Sequence, residues 1–139
     1  MSLCHINARS LTATNRIAEI EDFVSVLNDF DIVGVSETHL NATITDSIVS
    51  ISQYSILRSD RNRRGGGVCL YIKDHITHHR KFDLESNNTE SVWAEVHIGN
   101  YTLLVESSLF WVLNDPTYWG GLSVIKNSAK FGNAGCIPM

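Results

Sequence analysis

The feature that most constrains this chain is a short, near-continuous apolar run, Asp31-Ile32-Val33-Gly34-Val35-Ser36-Glu37, that follows an amphipathic helical stripe. Such a run after a helix reads as a strand buried on both faces, the second strand of a strand–helix–strand unit. The first strand is residues 3–8, Leu-Cys-His-Ile-Asn-Ala. Between them Ile17, Ile20, Phe23, Val24 and Leu27 recur at helical spacing, with Thr12 or Thr14 placed to cap the helix. Ser36, Glu37 and Thr38 then stand at the C-terminal end of a sheet strand, the end that faces the ligand crevice in open α/β sheets.

Further strands are expected at Tyr54–Arg58, Gly67–Ile72, Val92–Ile98 and Tyr101–Val105, with a loop and a short helical turn over 41–53. Gly99-Asn100 is the two-residue linker of a hairpin. The first 105 residues therefore read as α/β with a mixed sheet. From Glu106 to Met139 the periodicity weakens, and the only further expectation is a strand at Leu109–Leu113. Residues 1–105 are taken as one unit and 106–139 as an unrelated or poorly ordered tail. A break there leaves the strand at 101–105 as an unpaired edge.

Composition narrows the function classes. The chain has 139 residues, 43% of them hydrophobic, as in one ordinary globular domain. Cys4, Cys69 and Cys136 are far apart with no CxxC pair, which argues against a disulfide framework or a structural zinc site. No signal peptide and no run of about 18 apolar residues is found, so an intracellular protein without a membrane span is expected. The net charge of −4 argues mildly against a nucleic-acid binder. Its distribution is uneven: residues 58–81 hold seven Lys/Arg and two acids, a local balance of +5, and the rest carries −9. This fits a basic phosphate-facing patch on an acidic body, or a solvated hairpin face.

Asn7 and Glu37 each end an expected strand. If the strands are neighbours, a carboxylate and an amide oxygen share one crevice and suit Mg²⁺, which takes oxygen ligands and keeps several waters. The plainer alternative is an Asn satisfying a turn and a solvated Glu. Arg61, Arg63 and Arg64 either grip backbone phosphates or form an exposed turn. His75-x-x-His78-His79 suggests zinc on a helical face, but no Cys or acid has matching spacing, and a solvated turn is expected. Trp93 is expected in the core.

Three stretches, in order, resemble the endonucleases of non-LTR retrotransposons, of the endonuclease/exonuclease/phosphatase superfamily. They are His5-Ile6-Asn7-Ala8-Arg9-Ser10-Leu11, then Ser36-Glu37-Thr38-His39-Leu40, then Arg58-Ser59-Asp60-Arg61 through Gly65-Gly66-Gly67-Val68-Cys69-Leu70-Tyr71-Ile72. The stretch from Glu90 to Val96 is similar to the family's next strand. The resemblance covers residues 3–105, part of the family's domain. It implies an incomplete four-layer α/β/β/α sandwich, DNase I-like, with a mixed sheet. It also implies that Glu37 ligates Mg²⁺, that Asn7 positions the phosphate and the metal, and that Arg9, Arg61, Arg63 and Arg64 face DNA. The reaction implied is hydrolysis of a DNA phosphodiester in the nucleus, leaving a nick that primes reverse transcription.

The family's later motifs, Gly-Asp-x-Asn and Ser-Asp-His, are not found: there is no Gly-Asp dipeptide and no His after His97. The expectation is therefore an endonuclease-like chain that is inactive alone. The alternative is an inert retrotransposon remnant, at most a weak nucleic-acid binder. A phosphatase or phosphodiesterase of the same superfamily is disfavoured by the Arg58–Gly67 stretch.

Overall fold

The computed structural model describes all residues except 62–64, 112–117, 127–128, 135 and 139, and describes side chains for residues 1–61 and 65–108. Strand β1 (Leu3–Asn7) leads through a loop into helix α1 (Arg16–Glu21), which runs on as a π-helical stretch, Asp22–Leu27, before β2 (Ile32–Ser36). A 3-10 turn at Asp46–Val49 precedes β3 (Tyr54–Ser59) and β4 (Val68–Lys73). Then come β5 (Thr77–Arg80), β6 (Glu90–Ile98), β7 (Tyr101–Trp111), β8 (Tyr118–Lys126), β9 (Ala129–Ala134) and β10 (Cys136–Pro138).

The strands form two five-stranded sheets, ordered β10-β1-β2-β4-β3 and β5-β6-β7-β8-β9. The first is mixed, because β10, β1 and β2 run parallel while β4 pairs antiparallel with both β2 and β3. The second is antiparallel throughout. The chain is thus α/β, with the mixed sheet expected from its sequence.

Side-chain alternation builds two cores from one sheet. Cys4, Ile6, Val33, Val35, Cys69 and Tyr71 point to the helical side, where Ile20, Val24, Leu11 and Ile51 pack on them. Ile32, Val68, Leu70 and Ile72 point the other way, against Val92, Ala94, Val96, Leu103 and Val105 of the second sheet. This explains why β2 and β4 are buried along their whole length: each is covered on both faces. The described layers are therefore helix, mixed sheet, antiparallel sheet. Among the described residues, α1 and its π-helical continuation pack on the mixed sheet.

Several expectations need correction. The N-cap of α1 is Asn15, at φ 62 and without a side-chain cap, so neither Thr12 nor Thr14 caps it. Leu27 is 73% exposed. The widened π-helical turn carries more residues per turn than an α-helix, so Leu27 rotates off the stripe that Ile20 and Val24 keep buried. Trp93 is only half-buried: the alternation of β6 sends Val92, Ala94 and Val96 into the inter-sheet core and Trp93 outward. His78 and His79 lie in a strand, not in a turn or on a helix. After residue 105, β7 continues to Trp111 and pairs along its length with β8. It is an interior strand, between β6 and β8, rather than an edge. The Gly99-Asn100 hairpin forms as expected, closing Ile98 onto Tyr101.

Candidate active site

The register Asn7↔Ser36 sets the C-terminal ends of β1 and β2 side by side. Asn7 and Glu37 therefore leave the sheet at one edge, as the sequence suggests. Three segments are laced together there. Ser10 N donates to Glu37 O at 2.8 Å and Leu11 N to Thr38 O at 3.0 Å. Thr38 N donates to Gly67 O at 3.2 Å and His39 N to Gly66 O at 2.9 Å. Arg9, Ser10, Glu37, His39, Gly65, Gly66 and Gly67 all have positive φ. Non-glycine residues avoid this region, and such clustering is characteristic of sites where surrounding structure over-determines the backbone. At Gly67 (φ +86) glycine is required: a Cβ there would lie 2.4 Å from Thr38 Oγ1.

Glu37 is not the solvated carboxylate of the plainer reading. Its side chain is 16% exposed. Oε2 lies 2.6 Å from His39 Nε2 and accepts from Gly66 N at 3.2 Å. Oε1 is buried with no hydrogen-bond partner. The hydroxyl oxygens of its neighbours Ser36 and Thr38 are likewise buried and unpartnered. An unmet buried polar atom costs roughly 1–3 kcal/mol, so three in succession call for a reason. Asn7, half-buried, accepts from Arg9 N at 3.2 Å through Oδ1, the turn role that its plainer reading foresees.

A second carboxylate, missed by sequence reasoning, borders the site. Glu90 opens β6, and its Oε2 accepts from Gly67 N at 2.8 Å while Oε1 pairs with Arg61 Nε at 2.6 Å. The glycine loop thus offers one amide to Glu37 of the mixed sheet and the next to Glu90 of the antiparallel sheet. Its only sequence signal is its place at the head of a strand resembling the family's.

The basic stretch is largely matched in space. Arg58 pairs with Asp46 and Asp60, Lys73 with Asp29 and Asp31, Arg80 with Glu85, and Lys81 with Asp83. With Arg61 held by Glu90, every described cation of residues 58–81 has an acidic partner. Arg9 is exposed beside Asn7 and has no ion pair among the described residues. Arg63 and Arg64 lie outside the described residues.

No group of three or more His, Cys, Asp or Glu is arranged to hold a metal among the described residues. The unpartnered Glu37 Oε1, at the strand end that Asn7 shares, is still an oxygen of the kind taken by a hard cation that keeps most of its waters. Cys69 offers no nucleophile: complete burial pushes its thiol up. No described helix is long and apolar enough to cross a membrane.

No family model matches the chain, and no curated protein matches it. Among solved structures, the chain is similar to the AP endonuclease LMAP from Leishmania major, at 17% identity and a TM-score of 0.48. That likeness covers 85% of this chain and 38% of the other, so the chain spans well under half of that enzyme's length.

Proposed function

We propose that this chain carries the metal-holding and phosphate-positioning part of a Mg²⁺-dependent DNA endonuclease site of the non-LTR retrotransposon kind. The observation that carries the reading is Glu37: Oε2 is tied by two hydrogen-bonding partners and Oε1 is buried and unpartnered, at the strand edge that Asn7 shares. Glu37 Oε1 would hold the ion, with the Asn7 amide directed to a phosphate oxygen. When bound, Mg²⁺ supplies neutralisation of charge developing on the phosphoryl and leaving oxygens. Arg9 is the described cation free to meet a DNA phosphate, with Arg61 available on leaving Glu90, and Arg63 and Arg64 as further contacts. In this reading the endonuclease-like part is residues 1–105 and the setting is nuclear. Residues 106–139 carry neither the Gly-Asp-x-Asn nor the Ser-Asp-His motif. The ion pairs of residues 58–81 favour a second reading, an inert remnant with weak affinity for DNA.

The test is Mn²⁺ binding by the full chain, followed by the electron paramagnetic resonance of free Mn²⁺, together with supercoiled-plasmid nicking in Mg²⁺. Binding that disappears in Glu37→Ala, with nicking no faster than in that variant, is the expected result. Undiminished binding in Glu37→Ala refutes the metal assignment. Nicking lost on Glu37→Ala would instead show that the chain holds a complete catalytic unit.

A further inference from the structure

We propose that His39 is a positioning residue for Glu37, deciding which carboxylate oxygen is offered to a metal ion. The inference rests on the metal reading above and deepens it. Glu37 and His39 both sit at φ 54, with Thr38 between them bonded through its N–H to Gly67 O. This local fold brings two side chains two residues apart together, with His39 Nε2 at 2.6 Å from Glu37 Oε2. For an ionised Glu37 the imidazole must donate, so Nε2 carries the proton. Gly66 N donates to the same oxygen at 3.2 Å. Gly65 borders the contact: a Cβ added there would lie 3.9 Å from both Glu37 Oε2 and His39 Nε2.

The two oxygens of Glu37 are therefore unequal. Oε2 is saturated by donors from a side chain and a backbone. Oε1 is buried with none. The Gly66 amide alone leaves the carboxylate able to swing about its last torsion. The imidazole adds a second fixed donor, so the carboxylate plane is held and Oε1 is presented. Hydrogen bonds behind a metal ligand orient it in this way, and removing them typically weakens metal binding about 10–100-fold. His39 is 35% exposed, so it is a surface-bordering clamp whose removal opens no core.

The experiment is a Mn²⁺ titration of the full chain in four forms: wild type, Glu37→Ala, His39→Ala and His39→Gln. His39→Ala is expected to raise the Mn²⁺ dissociation constant at least about tenfold. His39→Gln, whose side-chain amide also donates, is expected to recover most of that loss. If Glu37→Ala abolishes binding and His39→Ala leaves it unchanged, the positioning role is overturned while the metal reading stands. If Glu37→Ala binds like wild type, both fall. If Gln is as weak as Ala, hydrogen-bond donation is not what His39 supplies, and the proposal is again overturned. Should His39→Ala fail to fold by circular dichroism, the imidazole ¹⁵N spectrum of the wild type decides. A protonated Nε2 whose resonance shifts on adding Mg²⁺ supports the role, and an unresponsive ring refutes it.

Discussion

His5 gives the chain a built-in sensitivity to acid. It stands on β1 between Cys4 and Ile6, which face the helical core, so alternation sends it between the sheets. Its neighbour on β2 is Gly34, which brings no side chain to that rung. The ring is fully buried and neither nitrogen has a hydrogen-bond partner. Burial disfavours the imidazolium and lowers its pKa from 6.5 to about 4. The unfolded chain thus binds the proton first. The stability that a neutral His5 preserves is complete above pH 6.5 and is lost as pH falls towards about 4. Between pH 7.5 and pH 5 the linkage relation gives a loss of about 2 kcal/mol, out of the roughly 5–15 kcal/mol typical of a domain. Asp31 does not interfere in this window. Burial raises its carboxyl, but hydrogen bonds from Ser2 and the charge of Lys73 outweigh that and hold it below its ordinary 3.8. The assay is urea unfolding at pH 7.5, 6 and 5 for wild type and His5→Leu, with equal m-values required. Wild type is expected to lose about 2 kcal/mol more than the variant over that range. Parallel pH profiles, or a His5 ring proton titrating near 6.5 by NMR, would refute the reasoning.

Two further changes test the packing that supports the site. Gly67→Ala forces a Cβ towards Thr38 Oγ1 at φ +86, so a loss of roughly 1–3 kcal/mol in urea unfolding is expected, with weaker Mn²⁺ binding through the displaced Thr38 segment. An unchanged midpoint would show that the loop relaxes freely. Tyr71→Phe deletes a buried hydroxyl that donates to Val49 O at 2.7 Å. The stranded carbonyl should cost roughly 1–3 kcal/mol, and a thermal midpoint matching wild type would contradict that pairing.

Much of the first half is legible because its determinants are local. The apolar run at 32–36 announces a strand buried on both faces, and β2 is buried at every position. Gly99-Asn100 states its hairpin through turn chemistry alone. The helical stripe holds at Ile20 in α1 and at Val24 early in the π-helical stretch, and fails at Leu27, where that stretch ends. His75 lies in the exposed turn expected for it, but His78 and His79 are misread because linear spacing cannot show that β5 pairs with β6, which sets His79 opposite Glu95.

The sequence by itself therefore determined the strand–helix–strand opening and the placing of Asn7 and Glu37 at strand ends, since these depend on periodicities spanning a few residues. Only the tertiary structure decided what surrounds them. Gly66 reaches Glu37 across 29 residues, Glu90 meets Gly67 across 23, and acids from distant segments pair with Arg58, Arg61 and Lys73. The strands after residue 105 gain their order from neighbours rather than from their own pattern. Contacts of this kind form only when sheets pair and face each other, and that pairing energy has no signature in any short window of sequence.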